Sequence, residues 1–218
     1  MKIIIGKIIG LPFLFIFMNL CFLLFSPEIF TQASILLPIL LLFMFISIDI
    51  LIRRISTKKD AFQRSISVIS FLVFPIFLYL PYIEFFIWEE SLLMSGIYCY
   101  LLILGNFILF FGGSILFCSR LQLGKFGGPK LVIESNHILI QTGLYRYIRH
   151  PMYLGFLCLF LGYNIALGGL FVALLVTCFF FLLFRYRMII EENQLLKEFG
   201  DEYSKYKART NRLIPLLY

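Results

Sequence analysis

Six runs of apolar residues divide the chain, at 3–25, 33–52, 66–88, 92–117, 152–167 and 170–184. Apolar positions follow one another continuously within them instead of alternating with polar ones, so the pattern predicts helices and not barrel strands. Crossing the hydrocarbon of a bilayer takes about 20 such residues at about 1.5 Å rise each, which the first four runs supply. The last two are short and meet at Gly168-Gly169, which predicts a tight helical hairpin whose polar ends continue as helix beyond the bilayer. Pro75 and Pro81 predict a kinked third helix. The first run follows Lys2 and Lys7, as in a signal peptide, but it is long, and Leu24-Phe25-Ser26-Pro27 is no small-x-small cleavage site; a retained helix is expected.

Composition agrees: 61% of residues are hydrophobic and only 14% charged, against roughly a quarter charged in a soluble domain. In lipid every backbone N–H and C=O must be paired within the protein. The expected fold is therefore all-α: a polytopic transmembrane helical protein of about six spans, one integral membrane domain over 1–218. Its four N-terminal spans would occupy 1–117 and its polar chemistry 118–218. The five cysteines form no C-x-x-C pair and lie in or beside apolar runs, where a thiol behaves as a small hydrophobe. Two histidines, His137 and His150, are too few for a histidine metal centre. No metal is expected.

Charge sets the orientation. All 19 Lys and Arg fall before or at the start of the first helix, after the second, after the fourth and after the sixth. The alternate loops, 26–32 and 89–91, carry only Glu28, Glu89 and Glu90. By the positive-inside rule both termini are cytoplasmic, in a bacterial inner membrane or, in a eukaryote, the endoplasmic reticulum. The net charge of +7 then reflects topology and anionic lipid, not nucleic acid. The polar mass lies in the connector 118–151 and the tail 185–218, so the chemistry is expected at the cytoplasmic ends of the last two helices.

Pro151 suits the first position of the fifth helix, with His150 as its N-cap. That helix start, with Arg146, Arg149 and His150 around it, suits a carboxylate or phosphate, or only lipid headgroups. In the tail, Arg187 and Glu191 are four apart and share a face. Leu195, Leu196, Phe199, Tyr203 and Tyr206 make an amphipathic stripe, weakened at Gly200. Residues 131–140 read as a small β hairpin. The glycine-rich 124–129 lacks the G-K-[ST] of a phosphate loop. Asp49 and Glu84 are expected exposed at the membrane interface.

The stretch His137–Gly155, with R-H-P-x-Y-x-G, then Arg187, Glu191-Glu192, Phe199-Gly200, Tyr203, Tyr206 and Leu213-Ile214-Pro215, resembles the isoprenylcysteine carboxyl methyltransferase family. That family lies within a wider group that includes phospholipid N-methyltransferases. The resemblance covers about the last 100 residues; the N-terminal helices match only as apolar spans. It implies S-adenosylmethionine as cofactor, held by His137, Ile138, Leu139, Ile140, Tyr145, His150, Pro151, Met152, Tyr153 and Glu191 in a cytoplasmic pocket. It implies Arg187 as the catalytic contact to a lipophilic acceptor, a prenylated or lipid molecule entering from the membrane. For a carboxylate acceptor no base is required; for an amine, Glu192 is the candidate base. Membrane sterol reductases share an R-H-P-x-Y element and use a nicotinamide cofactor, but resemble R-H-P-N-Y where this chain has Met152. A transporter would carry polar residues at mid-membrane, which are nearly absent here.

Overall fold

The structure, a computed structural model, describes residues 33–52, 77, 79–85, 87–88, 96–124 and 138–214. Among the described residues four helices carry the fold: α1 (Ala33–Ile52), α2 (Ile97–Leu123), α3 (Pro151–Ala166) and α4 (Leu170–Arg209), with a 3₁₀ turn at Gly143–Arg146 before α3. Residues 79–85 add a helical stretch. Among the described residues the one strand-like feature is a parallel bridge between Ile148 and Asn211. The architecture is thus all-helical.

Helix α1 is helical throughout the described part of its apolar run, whereas α2 starts and ends several residues beyond the 92–117 run. The hairpin forms as expected: Gly168 and Gly169 donate to Ile165 and Asn164 and close the turn. The last run continues as helix far past its apolar part, to Arg209. The run at 3–25, Pro75 and the glycine-rich stretch beyond Gly124 lie outside the described residues. So does most of the 131–140 hairpin, and residues 138–140 show no strand.

Among the described residues two helices, α2 and α4, are long and apolar enough to cross a membrane, yet only 28% and 22% of their most apolar stretches is buried. A core helix of a soluble protein would bury most of that surface. Here Tyr100, Ile103, Phe107, Phe110 and Phe111 of α2 all point outward, an arrangement suited to lipid. The protein is an integral membrane protein.

Small residues bring α2 and α3 into backbone contact. A methyl group on Gly162 would lie 2.4 Å from the Leu109 nitrogen, and one on Gly105 would lie 2.2 Å from that of Ala166. Glycines seven apart on each helix therefore mesh, as helices in lipid require when no hydrophobic effect draws them together. Helix α1 packs on the other side of α2, with Phe45 against Gly113, and shares with α2 and α3 a core of Ile39, Leu42, Leu109, Leu116 and Leu159. Between α3 and α4 runs an aromatic wall in which the Phe160 and Phe180 rings meet at a tilt, 4.3 Å between centroids.

The two acidic residues expected to be exposed are instead used. Glu84 accepts from the Phe171 and Val172 N–H groups at 2.8 and 2.7 Å and so caps the start of α4, answering the free donors and positive dipole end there. Asp49 is 5% exposed and paired with Arg120 of α2. The Asp49 charge is desolvated as its helix packs and so takes a partner inside the fold.

Candidate active site

Three segments meet beyond the polar end of the α3–α4 hairpin. The first is the 3₁₀ turn and the residues leading to His150. Gly143 takes φ +61°, a left-handed conformation that opens the turn at little cost for glycine. The Leu144 N–H is held by the Gln122 carboxamide at 2.9 Å. His150 is the N-cap residue of α3 and Pro151 begins the helix, as the sequence predicts.

The second segment is α4 after it leaves the apolar zone. Met188 and Glu192, one turn apart, face inward, while Arg187 and Glu191 are half-buried. The third is the chain after α4, which folds back so that the Arg149 and His150 N–H groups donate to the Asn211 and Arg212 carbonyls at 2.9 and 3.0 Å. Leu213 anchors this return among Leu157 and Met188.

Glu192 sits where the three segments join. Its carboxylate accepts from Arg149 Nε at 3.0 Å and from Arg212 Nε and Nη2 at 3.0 and 2.9 Å. Lys207 Nζ and His150 Nε2 each lie 3.4 Å away. Burial works against its charge, but the hydrogen bonds from His150, Arg212 and Arg149 outweigh that and hold the carboxyl well below the ordinary carboxylate range. Arg149 also donates to the carbonyls of Lys207 and Thr210, the last of α4, where a cation suits the helix end.

Glu191 differs from its neighbour. Its side chain is 39% exposed against 3% for Glu192, so one carboxylate of the pair is open and the other is closed. Glu191 accepts from the Tyr153 hydroxyl at 3.1 Å and lies 3.8 Å from His150 Nδ1. Arg187 interacts with that same Tyr153 hydroxyl. Tyr153 stacks on Phe184 at 5.0 Å, which brings the aromatic wall up to the site. The buried Tyr203 hydroxyl here has no hydrogen-bond partner among the described residues.

Of the candidate residues, the fold brings Tyr145, His150, Pro151, Tyr153, Arg187, Glu191 and Glu192 to this junction. Ile138, Leu139 and Ile140 lie in irregular chain leading to Gln141, which bonds Glu202 at 3.0 Å and also Arg209 near the end of α4. Met152 packs its partly buried side chain against the core shared by α1, α2 and α3. His137 lies outside the described residues.

Two sequence expectations change. Arg149 is not a free donor for an external anion, because Glu192 and the end of α4 occupy it. The start of α3 faces carboxylates of the chain itself, so the open position beside Glu191 favours hydroxyl donors or a cation. The reasoning from sequence missed Arg212, which has no periodic signal because its role comes from the chain's return, and Gln122, which lies at the end of an apolar helix.

Comparisons with known proteins point the same way. The family model described as "Phospholipid methyltransferase" matches residues 100–202. The Schizosaccharomyces pombe protein-S-isoprenylcysteine O-methyltransferase is 36% identical over 84 residues, 38% of this chain and 36% of that protein. Methanethiol S-methyltransferase 1 of Bradyrhizobium diazoefficiens is 40% identical over 116 residues, 49% of this chain and 39% of that protein. The resemblance read from the sequence is borne out. The matches span little more than a third of the length of these relatives. The fold as a whole is similar to the structure of a eukaryotic intramembrane Ras methyltransferase, isoprenylcysteine carboxyl methyltransferase, at TM-score 0.60 and 21% identity, covering 92% of this chain and 74% of that one.

Proposed function

We propose that this protein is an S-adenosylmethionine-dependent methyltransferase that O-methylates a carboxylate on a lipophilic acceptor at the membrane surface. The reaction is the one named for the isoprenylcysteine relatives. The observation that carries this reading is the unequal carboxylate pair: Glu191 open beside Tyr153 and His150, Glu192 closed among three cationic side chains.

The residues present fit the cofactor. An exposed carboxylate accepts hydrogen bonds from ribose hydroxyls or an ammonium group, and the buried Tyr203 hydroxyl is left for a polar partner. The faces of Tyr153 and Phe184 suit a flat ring or a cationic sulfur. S-adenosylmethionine, when bound, supplies a methyl group on cationic sulfur for in-line transfer to a nucleophile. The chain itself has to orient and desolvate that nucleophile. Arg187, with its planar guanidinium, suits a carboxylate acceptor, which is already ionised at neutral pH and needs no base. An apolar tail would lie along the aromatic wall of α3 and α4.

N-methylation is the weaker reading for a reason at one residue. The candidate base, Glu192, is a poor proton acceptor because its partners hold its carboxyl so far down. Glu192 is better suited to being the counter-ion that gathers Arg149, Arg212 and Lys207.

The proposal predicts that Glu191→Ala loses cofactor binding in calorimetry, and that Arg187→Ala binds cofactor but loses methyl transfer. Undiminished binding by Glu191→Ala would sink the site assignment. Labelled S-adenosylmethionine and a membrane lipid extract, incubated with purified protein, identify the acceptor; label only on an amine would favour the second reading.

A further inference from the structure

The pair of Asp49 and Arg120 lies outside the junction just described. Arg120 Nε and Nη2 both reach Asp49 Oδ1, at 2.7 and 2.6 Å, and the two residues are 3% and 5% exposed. Stability alone does not account for such a pair. Each ion costs several kcal/mol to desolvate, and apolar replacements of similar volume are often neutral or better. What a converging pair does supply is register: α1 can sit against α2 only with Asp49 level with Arg120.

Two residues on from Arg120, the Gln122 carboxamide holds the Leu144 N–H. The turn rests directly on it, since a methyl group on Gly143 would lie 2.4 Å from Gln122 Nε2. Tyr145 follows at once, buried, with its carbonyl taken by the Tyr206 hydroxyl at 2.7 Å. Burial raises the Tyr145 phenol's pKa, Glu191 adds to this, and Arg120 opposes it, so Arg120 is within electrostatic reach of the same residue.

We propose that Asp49 and Arg120 are positioning residues for the site. Their pairing fixes the C-terminal end of α2 against α1, and so sets Gln122, the turn Gln122 holds, and the Tyr145–His150 segment that the turn delivers. Helix α1 lies outside the 100–202 family match, yet on this account it is part of the working assembly and not only an anchor. The inference rests on the methyltransferase reading solely for the ligand affected.

The test uses the full chain in detergent micelles. Asp49→Leu combined with Arg120→Met removes both charges and keeps apolar bulk, avoiding the stranded guanidinium that Asp49→Asn leaves. Hydrogen exchange of peptides covering 143–150 is followed beside peptides of α3 and α4, with calorimetric binding of S-adenosylhomocysteine in parallel. In the double variant, amides 144–148 should exchange about tenfold faster or more while the α3 and α4 peptides keep their rates, and affinity should fall about tenfold. Gln122→Ala should reproduce both effects, and Asp49→Glu should restore most of each. Unchanged exchange at 144–148 overturns the proposal, as does equal acceleration throughout the bundle, the mark of a merely structural pair. If the unaltered protein fails to bind S-adenosylhomocysteine, the proposed function falls, and the exchange measurement still decides this inference.

Discussion

At the scale of single residues the site turns on Glu191 and Glu192 having different surroundings. Adjacent on a helix, they point about 100° apart, so one faces the returning tail and the other the opening. Sequence shows that two carboxylates are present but not which is enclosed, because the partners of Glu192 come from the turn before α3 and from beyond α4. Glu192→Gln keeps the shape and removes the charge, leaving Arg149 and Arg212 with no anion. Such a loss at a buried pair costs about 3–5 kcal/mol, and the lower end is expected because Lys207 is 46% exposed and Arg212 21%. The pH dependence has a definite sign. The folded carboxyl is held below its ordinary value of 4.5, so Glu192's contribution is complete above that value and is lost as pH falls from there toward the folded pKa. Thermal unfolding in micelles should therefore show a gap between the native protein and Glu192→Gln that is widest near neutrality and narrows as pH drops below 4.5. A gap independent of pH would mean that shape, not charge, sets the effect.

At the scale of elements, what depends on continuous apolar runs was legible: the helix α1, the hairpin at Gly168-Gly169, and the passage of the last run into a polar helix. Boundaries set by tertiary partners were not. Helix α2 runs on to Leu123 because Arg120 and Gln122 find partners that let polar residues stay helical past the apolar zone. The break in α4 is a comparable case. Gly200 has φ +49° and ψ −119°, a region open in practice only to glycine, and it re-aims the last turns so that Tyr203 and Tyr206 are buried. The stripe of those tyrosines was visible in the sequence; the change of direction that lets it reach the turn was not. The α2–α3 contact yields the prediction at this scale. Gly162→Val places branched carbon where a single methyl group would already stand 2.4 Å from backbone, so the helices must separate. Overpacking typically costs about 1–3 kcal/mol, occasionally more, and the lack of give in backbone favours the upper end. A lowered unfolding temperature in micelles, with the helical signal in circular dichroism retained, is the expected result; an unchanged temperature would show that α2 and α3 do not cross as closely as described.

At the scale of the whole molecule, a membrane bundle has to support a polar site that lipid cannot. The helices supply rigid ends, but the closing contacts come from the chain that returns after α4: the Asn211 and Arg212 carbonyls, the Arg212 guanidinium and the Leu213 side chain. Two physically distinct devices hold that return in place, charge at Arg212 and burial at Leu213, which is 1% exposed, and they are separable. Leu213→Ala removes methyl groups from the cluster with Leu157 and Met188 and should cost about 2–5 kcal/mol, as deep Leu→Ala changes do, at all ionic strengths. Arg212→Ala leaves the packing intact and Glu192 still paired with Arg149 and Lys207, so its cost should be smaller. That cost should also shrink with added salt, because Arg212 is partly hydrated and partly exposed charges are screened over about 8–10 Å at physiological ionic strength. Unfolding temperatures of both variants in low and high salt distinguish the two devices. Should Leu213→Ala prove as salt-sensitive as Arg212→Ala, the return would be held by charge alone, and the apolar anchor beneath the site would have to be discarded.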